Sequence, residues 1–190
     1  IHHIYSNRLN FGKIRIEENA LWSFAPHDIA VILRLMGEKP IEVTSVGGNY
    51  VTPNLADVTV SGLHFSSGRR AHIFVNWLNP FKEQKLVVVG EERMAVFNDV
   101  EKVDKLTLYN QKVELDNRMP VLSKGDVETV GLDGAEPLQA ECAHFLECLE
   151  TRKQPLTDGN NGIAVLEVLE ACQESLQLNG RPVVMSDLRK

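Results

Sequence analysis

Long apolar runs are missing from this sequence. No stretch reaches the roughly 18 residues that a membrane-spanning helix needs, so no membrane partner is expected. The N-terminal IHHIYSNRLNFGKIR has no apolar core followed by a small-residue cleavage site, so it does not read as a secretory signal. Cysteine is scarce and odd in number. Cys142, Cys148 and Cys172 match no zinc spacing, and all three are expected to be buried, reduced thiols. The cytoplasm is the expected compartment. An excess of positive charge is also missing. A net charge of −6 argues against a nucleic-acid partner, although a few local arginines would suffice for a small anion. Neither the glycine-rich strand–turn–helix fingerprint of a dinucleotide site nor a P-loop occurs, so no cofactor is expected to be held by this chain.

What is present is an ordinary globular composition, 43% hydrophobic and 24% charged. The length of 190 residues suits one sizeable domain over 1–190, with no repeat, low-complexity tract or dividing linker. Residues 1–10 read as a strand and Leu21–Gly37 as a helical region. Strands follow at Ile41–Tyr50, Asp57–Phe65, Ala71–Leu78, Glu83–Val89 and Arg93–Asn98. Leu106–Tyr109 and Lys112–Leu115 read as short β segments around a turn at Asn110-Gln111, and Val127–Val130 as a last short strand before a break at Gly131–Gly134. Two helices, Pro137–Arg152 and Gly159–Leu178, each carry one apolar face, and Pro182–Met185 reads as an edge strand. Segregated elements of this kind predict an α+β fold, an open and mostly antiparallel sheet with helices packed on one face. Large groups on both sides of Ala71–Leu78 predict that this strand is covered on both faces or meets another subunit through Phe74 and Trp77. Ile1 opens straight into a strand with no initiator Met or leader, so the chain is expected to be a piece of a longer protein.

One histidine stands out. In LWSFAPHDIAVILRLMG the helix is expected to begin at Pro26, with Ser23 as a capping oxygen and Gly37 as the stop. His27 then falls in the first turn, where the helix dipole favours the neutral imidazole that a general base requires. Arg8 and Arg15 offer guanidinium forks suited to a diphosphate or carboxylate. Tyr5, Asn7 and Asn10 offer hydrogen bonds to sugar hydroxyls. Strand parity sets Tyr5 and Asn7 against Arg8 and Asn10, so one ligand cannot meet both sets on a regular strand. His2 and His3, adjacent on a strand, point apart and are not a metal pair. No metal site is expected.

The order of these features resembles the C-terminal domain of the glucose–fructose oxidoreductase, inositol dehydrogenase and MocA oxidoreductase family. Family members carry a helix with a pattern close to Gly-Gly-x-x-x-Asp-x-Gly-x-His-x-x-Asp, and Leu21–Asp28 lies over it with His27 on the histidine. Ser23 stands where the family often has aspartate, and Ala25 where it often has glycine. Tyr5–Arg15, Glu18–Ile29, Asn79–Lys85 and the close of the chain from Glu141 to Gly159 are most similar to WlbA-like 3-dehydrogenases of UDP-N-acetylglucosamine or its glucuronate form. The resemblance implies an N-terminal Rossmann domain, absent from this chain, that binds NAD or NADP. It implies His27 as acid/base, with Tyr5, Asn7, Arg8, Asn10, Arg15 and Ser23 as substrate-binding candidates. It also implies a nucleotide-sugar substrate, a homo-oligomer through the open sheet face, and inactivity of this chain alone. Glu38-Lys39-Pro40 reproduces the tripeptide that carries the family's catalytic lysine, but it directly follows a helix stop rather than a Rossmann strand. The alternatives are a non-catalytic dimerisation or ligand-binding module, and a family member acting on a free polyol.

Overall fold

Alternation on the first strand decides the layering. In the computed structural model, which describes residues 1–132, 134 and 136–186, Ile4 and Ser6 are buried on one side of that strand. His3, Tyr5 and Asn7 are half-buried on the other. The elements are β1 (His3–Phe11), α1 (Ala20–Met36), β2 (Pro40–Gly48), β3 (Val58–Phe65), β4 (Arg70–Asn76), β5 (Leu78–Val89), β6 (Met94–Asn98), β7 (Leu106–Asp116), β8 (Met119–Val130), α2 (Pro137–Thr151), α3 (Gly159–Gln177) and β9 (Val183–Val184). The nine strands form one sheet in the order β8-β7-β6-β5-β1-β4-β3-β2-β9. Among the described residues only the β1–β4 pair is parallel. This is the expected α+β architecture.

Helices α1 and α3 cover one face over β1 to β4. On α1, Leu21, Ala25, Ile29 and Ile32 form a wholly buried stripe at helical spacing. Each large member contributes roughly 1.5–3 kcal/mol by burial. It meets Ile4, Ile73, Val75 and Leu63 of the sheet and Val168, Leu169 and Cys172 of α3. Asn19 and Trp22, at the start of α1, both donate to Oε1 of Gln173 near the end of α3, at 2.7 and 3.1 Å. Among the described residues, neither α1 nor α3 lies on the other face of the sheet.

Several expectations change. Helix α1 begins at Ala20, because the Asn19 side chain caps it by accepting from Trp22 N at 3.1 Å. Ser23 is therefore inside the helix and is not its cap, and Pro26 is interior, with no N–H to give to the Trp22 carbonyl. The two short β segments are one strand, β7, and Asn110-Gln111 is an irregularity within it. The turn lies at Asn117-Arg118, where both residues have positive φ, 49° and 66°, as a two-residue hairpin loop demands. Val127–Val130 is the end of the long β8. Of the break at Gly131–Gly134, Asp133 lies outside the described residues.

Trp77 is fully buried and donates through Nε1 to Asp57 Oδ1 at 2.5 Å, so it is a core residue and not a subunit contact. Asp57, also buried, accepts in addition from Tyr50 N and Val51 N, at 2.6 and 2.9 Å. Cys148 and Cys172 are buried as expected, but Cys142 is exposed. It lies on the apolar face of α2, which leaves Leu138, Phe145 and Leu146 exposed. Among the described residues, no helix is long and apolar enough to cross a membrane.

Candidate functional site

The helix that carries His27 also buries a carboxylate. Asp28 falls on the core stripe of α1, between Ala25 and Ile32, and is 5% exposed. A buried carboxylate must be hydrogen-bonded and charge-paired, and β1 supplies both. Ser6 Oγ donates to Asp28 Oδ1 at 2.6 Å. Arg8 Nε donates to Asp28 Oδ2 at 2.8 Å, and Arg8 Nη2 reaches Oδ1 at 3.4 Å. The central strand is thereby tied to the helix at the turn bearing His27.

His27 is the eighth residue of α1, not part of its first turn, so the positive helix end does not act on it. Its imidazole is exposed and has no hydrogen-bond partner among the described residues. His27, Val31 and Leu35 follow one another at i, i+4 and i+8 and form one wall of a cavity of about 380 Å³. Leu86 and Val88 of β5, Ala95 and Phe97 of β6 and Leu106 of β7 form the opposite wall. Arg8 and Asp28 close one end. The lining is apolar apart from an imidazole, a guanidinium and a carboxylate. Such a site presents a greasy face to a ligand ring and polar groups to its hydroxyls or anionic end.

The other candidate residues do not line this cavity. Tyr5 and Asn7 lie on the opposite face of the sheet, so strand parity separates them from Arg8 and His27. Tyr5 stacks on His72, with ring centroids 5.3 Å apart and planes within 5°. Asn7 donates to Glu83 at 2.7 Å. His72 Nδ1 and His3 Nε2 are 3.1 Å apart, and burial holds both imidazoles below the usual histidine range. Asn10 sits at the irregularity between Leu9 and Phe11. Arg15 is in the loop before α1, paired with Glu18 at 3.2 Å. Ser23 Oγ is buried without a hydrogen-bond partner among the described residues. Glu38 and Lys39 follow the Gly37 cap and are paired with Arg69 and Glu167, each at 2.6 Å. Sequence reasoning missed Ser6 and Asp28. The available signal was a charged residue on the core stripe of α1, which is tolerated only when a partner reaches it.

Residues 5–96 match the model of the GFO/IDH/MocA C-terminal domain. This segment belongs to that family. It contains Ser6, Arg8, His27 and Asp28, and all of the cavity lining except Phe97 and Leu106. No curated protein matches the chain. Among solved structures, it is similar to UDP-N-acetylglucosamine 3-dehydrogenase GnnA from Acidithiobacillus ferrooxidans, at 21% identity and a TM-score of 0.81, over 94% of this chain and 55% of that one. It is similar to aldose-aldose oxidoreductase from Caulobacter crescentus complexed with glycerol, at 16% identity and a TM-score of 0.75, over 96% and 55%. It is similar also to the WlbA dehydrogenase from Bordetella pertussis in complex with NADH and UDP-GlcNAcA, at 16% identity and a TM-score of 0.69, over 97% and 54%. At these identities the likeness is one of fold. The chain spans just over half the length of these proteins.

Proposed function

We propose that this chain is the substrate-binding and oligomerisation domain of an NAD(P)-dependent oxidoreductase that oxidises a sugar hydroxyl, at C3 of a UDP-N-acetyl sugar. The observation that carries the reading is the lining of the cavity. An exposed imidazole with no competing partner lines the same cavity as an arginine fixed by a buried carboxylate, and the rest of the lining is apolar. Bound NAD(P)+ supplies the hydride acceptor. The chain's own residues do the rest. His27 takes the hydroxyl proton as the C–O bond becomes a carbonyl, which is worth typically 10²–10⁴ in rate. Arg8 holds two of its nitrogens on Asp28 and keeps Nη1 for an anionic or hydroxyl group of the substrate. The apolar wall excludes water from one side of the sugar ring.

The residues here do not suit a whole dinucleotide, since the cavity is about 380 Å³ and the chain has no glycine fingerprint. The cofactor belongs mainly to a Rossmann domain outside this chain, together with the catalytic lysine, because Lys39 is occupied by Glu167 at the end of α1. The chain alone is inactive, its working compartment is the cytoplasm, and its open sheet face meets a second copy.

The test uses the full-length protein that contains this chain. Nicotinamide reduction is followed with UDP-N-acetylglucosamine, its glucuronate form, myo-inositol and a free hexose. Reduction with a UDP-sugar is expected. Reduction with myo-inositol or a free hexose alone gives the polyol reading instead, and no reduction with any of them favours a binding module. His27→Asn should lower kcat by about 10²–10⁴ with KM little changed. Unchanged turnover removes His27 from the chemistry.

A further inference from the structure

Two histidines meet across the parallel strand pair at the centre of the sheet. His3 on β1 and His72 on β4 share one face, and His3 Nε2 is 3.1 Å from His72 Nδ1. Tyr5, the register partner of His72, stacks flat on its ring and so restrains the plane of that imidazole. The His3 ring is tilted by 43° against it, with centroids 5.0 Å apart. Few groups compete for the two nitrogens. Val89 and Val87 of β5 stand opposite His3 and Tyr5. Gly62 of β3 stands opposite His72 and puts no side chain over the pair. Arg70, opposite His3, turns its Nη1 to the carbonyls of Gly68 and Arg69, at 3.3 and 3.1 Å. The pair is on the face opposite to the His27 cavity, so the proposed reaction makes no use of it.

We propose that His3 and His72 chelate one zinc ion and so tie β1 to β4. Zinc binds imidazole nitrogen at about 2.0–2.1 Å. An ion at that distance from two nitrogens 3.1 Å apart subtends an angle of about 100°, close to the tetrahedral value. It stands off the line between the nitrogens, so each ring turns to aim its lone pair at the ion. Without metal, one of the two nitrogens donates its proton to the other. On binding, that ring carries its proton on its other nitrogen instead, so both facing nitrogens are ligands and no net proton is lost. Burial disfavours the imidazolium at both residues, which leaves them neutral, as ligands must be, at neutral pH. Two imidazoles without a carboxylate suit zinc and its neighbours and give little to a hard cation such as magnesium. Among the described residues no third His, Cys, Asp or Glu completes a cluster, so water fills the remaining positions. Both ligands come from one chain, so the site needs no second copy. The two residues are 69 positions apart, and no sequence spacing reveals them. The adjacent pair that the sequence does show, His2-His3, points apart. The ion cross-links the parallel pair, the less stable kind of pairing per residue, and stabilises the fold by mass action.

The test is zinc binding by the full-length protein that contains this chain, purified without an affinity tag and stripped with chelator. Zn2+ is titrated by calorimetry at about pH 7.5, where the ligands are neutral. Wild type is compared with His3→Asn, His72→Asn and, as a control, His2→Asn. Melting in excess chelator shows that each variant is folded, and His72→Gln keeps the test decisive if His72→Asn unfolds. The expected result is one equivalent of zinc whose affinity falls about 100-fold or more in the His3 and His72 variants, since even an outer partner of a metal ligand is worth about 10–100-fold. His2→Asn should bind as wild type does. Zn2+ at about 100 times its Kd should raise the wild-type melting temperature, leave both ligand variants unmoved, and be matched by no effect of Mg2+. A wild type that binds no zinc overturns the proposal. Equal binding by wild type and the His72 variants overturns it as well. A loss in His2→Asn as large as in His3→Asn places the metal on the N-terminal segment and overturns the chelate across β1 and β4.

Discussion

Asp28 is a residue whose removal should be felt away from its own position. Its carboxylate accepts from Ser6 and twice from Arg8, and it is buried against the core. Asp28→Asn keeps the shape but leaves the guanidinium without its charge partner. Breaking a buried pair costs about 3–5 kcal/mol. Arg8 is 23% exposed along its side chain, so water recovers part of this and a loss of about 2–3 kcal/mol is expected, read as a lower urea midpoint. A midpoint within experimental scatter of wild type would show that the pair adds nothing. The His3–His72 pair gives a pH dependence. Both imidazoles are held below the ordinary 6.5 by burial, and His72 also by His3. The unfolded chain therefore binds more protons than the folded one as pH falls below about 6.5. The stability tied to the neutral pair is present above that value and is lost as pH falls through the folded-state values. The melting temperature should drop between pH 7 and pH 5, and the drop should shrink in His3→Asn/His72→Asn. An equal drop in the variant would assign the acid sensitivity elsewhere.

Among the elements, the β7–β8 hairpin shows where local signals mislead. Asn110-Gln111 has a turn residue between β-like segments, while Asn117-Arg118 has no glycine. Yet the chain turns at the second, and Arg118 takes φ +66°. A side chain there costs conformational energy that glycine does not pay. Arg118→Gly should raise stability by up to about 1 kcal/mol, measured by denaturant melts. A loss would mean that the Arg118 side chain makes a contribution larger than its strain. The same contrast explains how much was legible. Stop signals with one chemical cause were readable: Gly37 at φ +68°, Asp158 capping α3, and the turn after Phe65 that opens β4. The start of α1 was not. Two rival caps, Asn19 and Ser23, precede an interior proline, and burial of Leu21 and Ala25 decides between them only once the sheet is present. In the site, His27 and Arg8 were legible as chemistry, whereas Tyr5 and Asn7 could be assigned a face only by the pairing of β1 with β4 and β5.

At the scale of the whole molecule the packing is uneven. Helices α1 and α3 lie over β1 to β4, while the same side of β5, β6 and β7 is the open wall of the cavity, and α2 and the hairpin bury little. Amides open with a free energy set by how much of the core must separate with them. Hydrogen exchange should therefore be slowest on β1, β4 and β3, intermediate on β5 and β6, and fastest on α2 and on Gln111–Lys124. Uniform protection across the sheet would show that β5 to β8 gain as much from strand pairing as β1 to β4 gain from their helices. The gradient also bears on function. The turn of α1 that carries His27 is anchored to the slow side by Asp28, Ser6 and Arg8, and the wall His27 faces is on the softer side. A ligand that bridges the two should slow exchange on β5 and β6 more than on β1. UDP-N-acetylglucosamine, the proposed substrate, added to the full-length protein with NAD+, is expected to do so. Slowing confined to β1 and α1 would place the sugar outside the cavity.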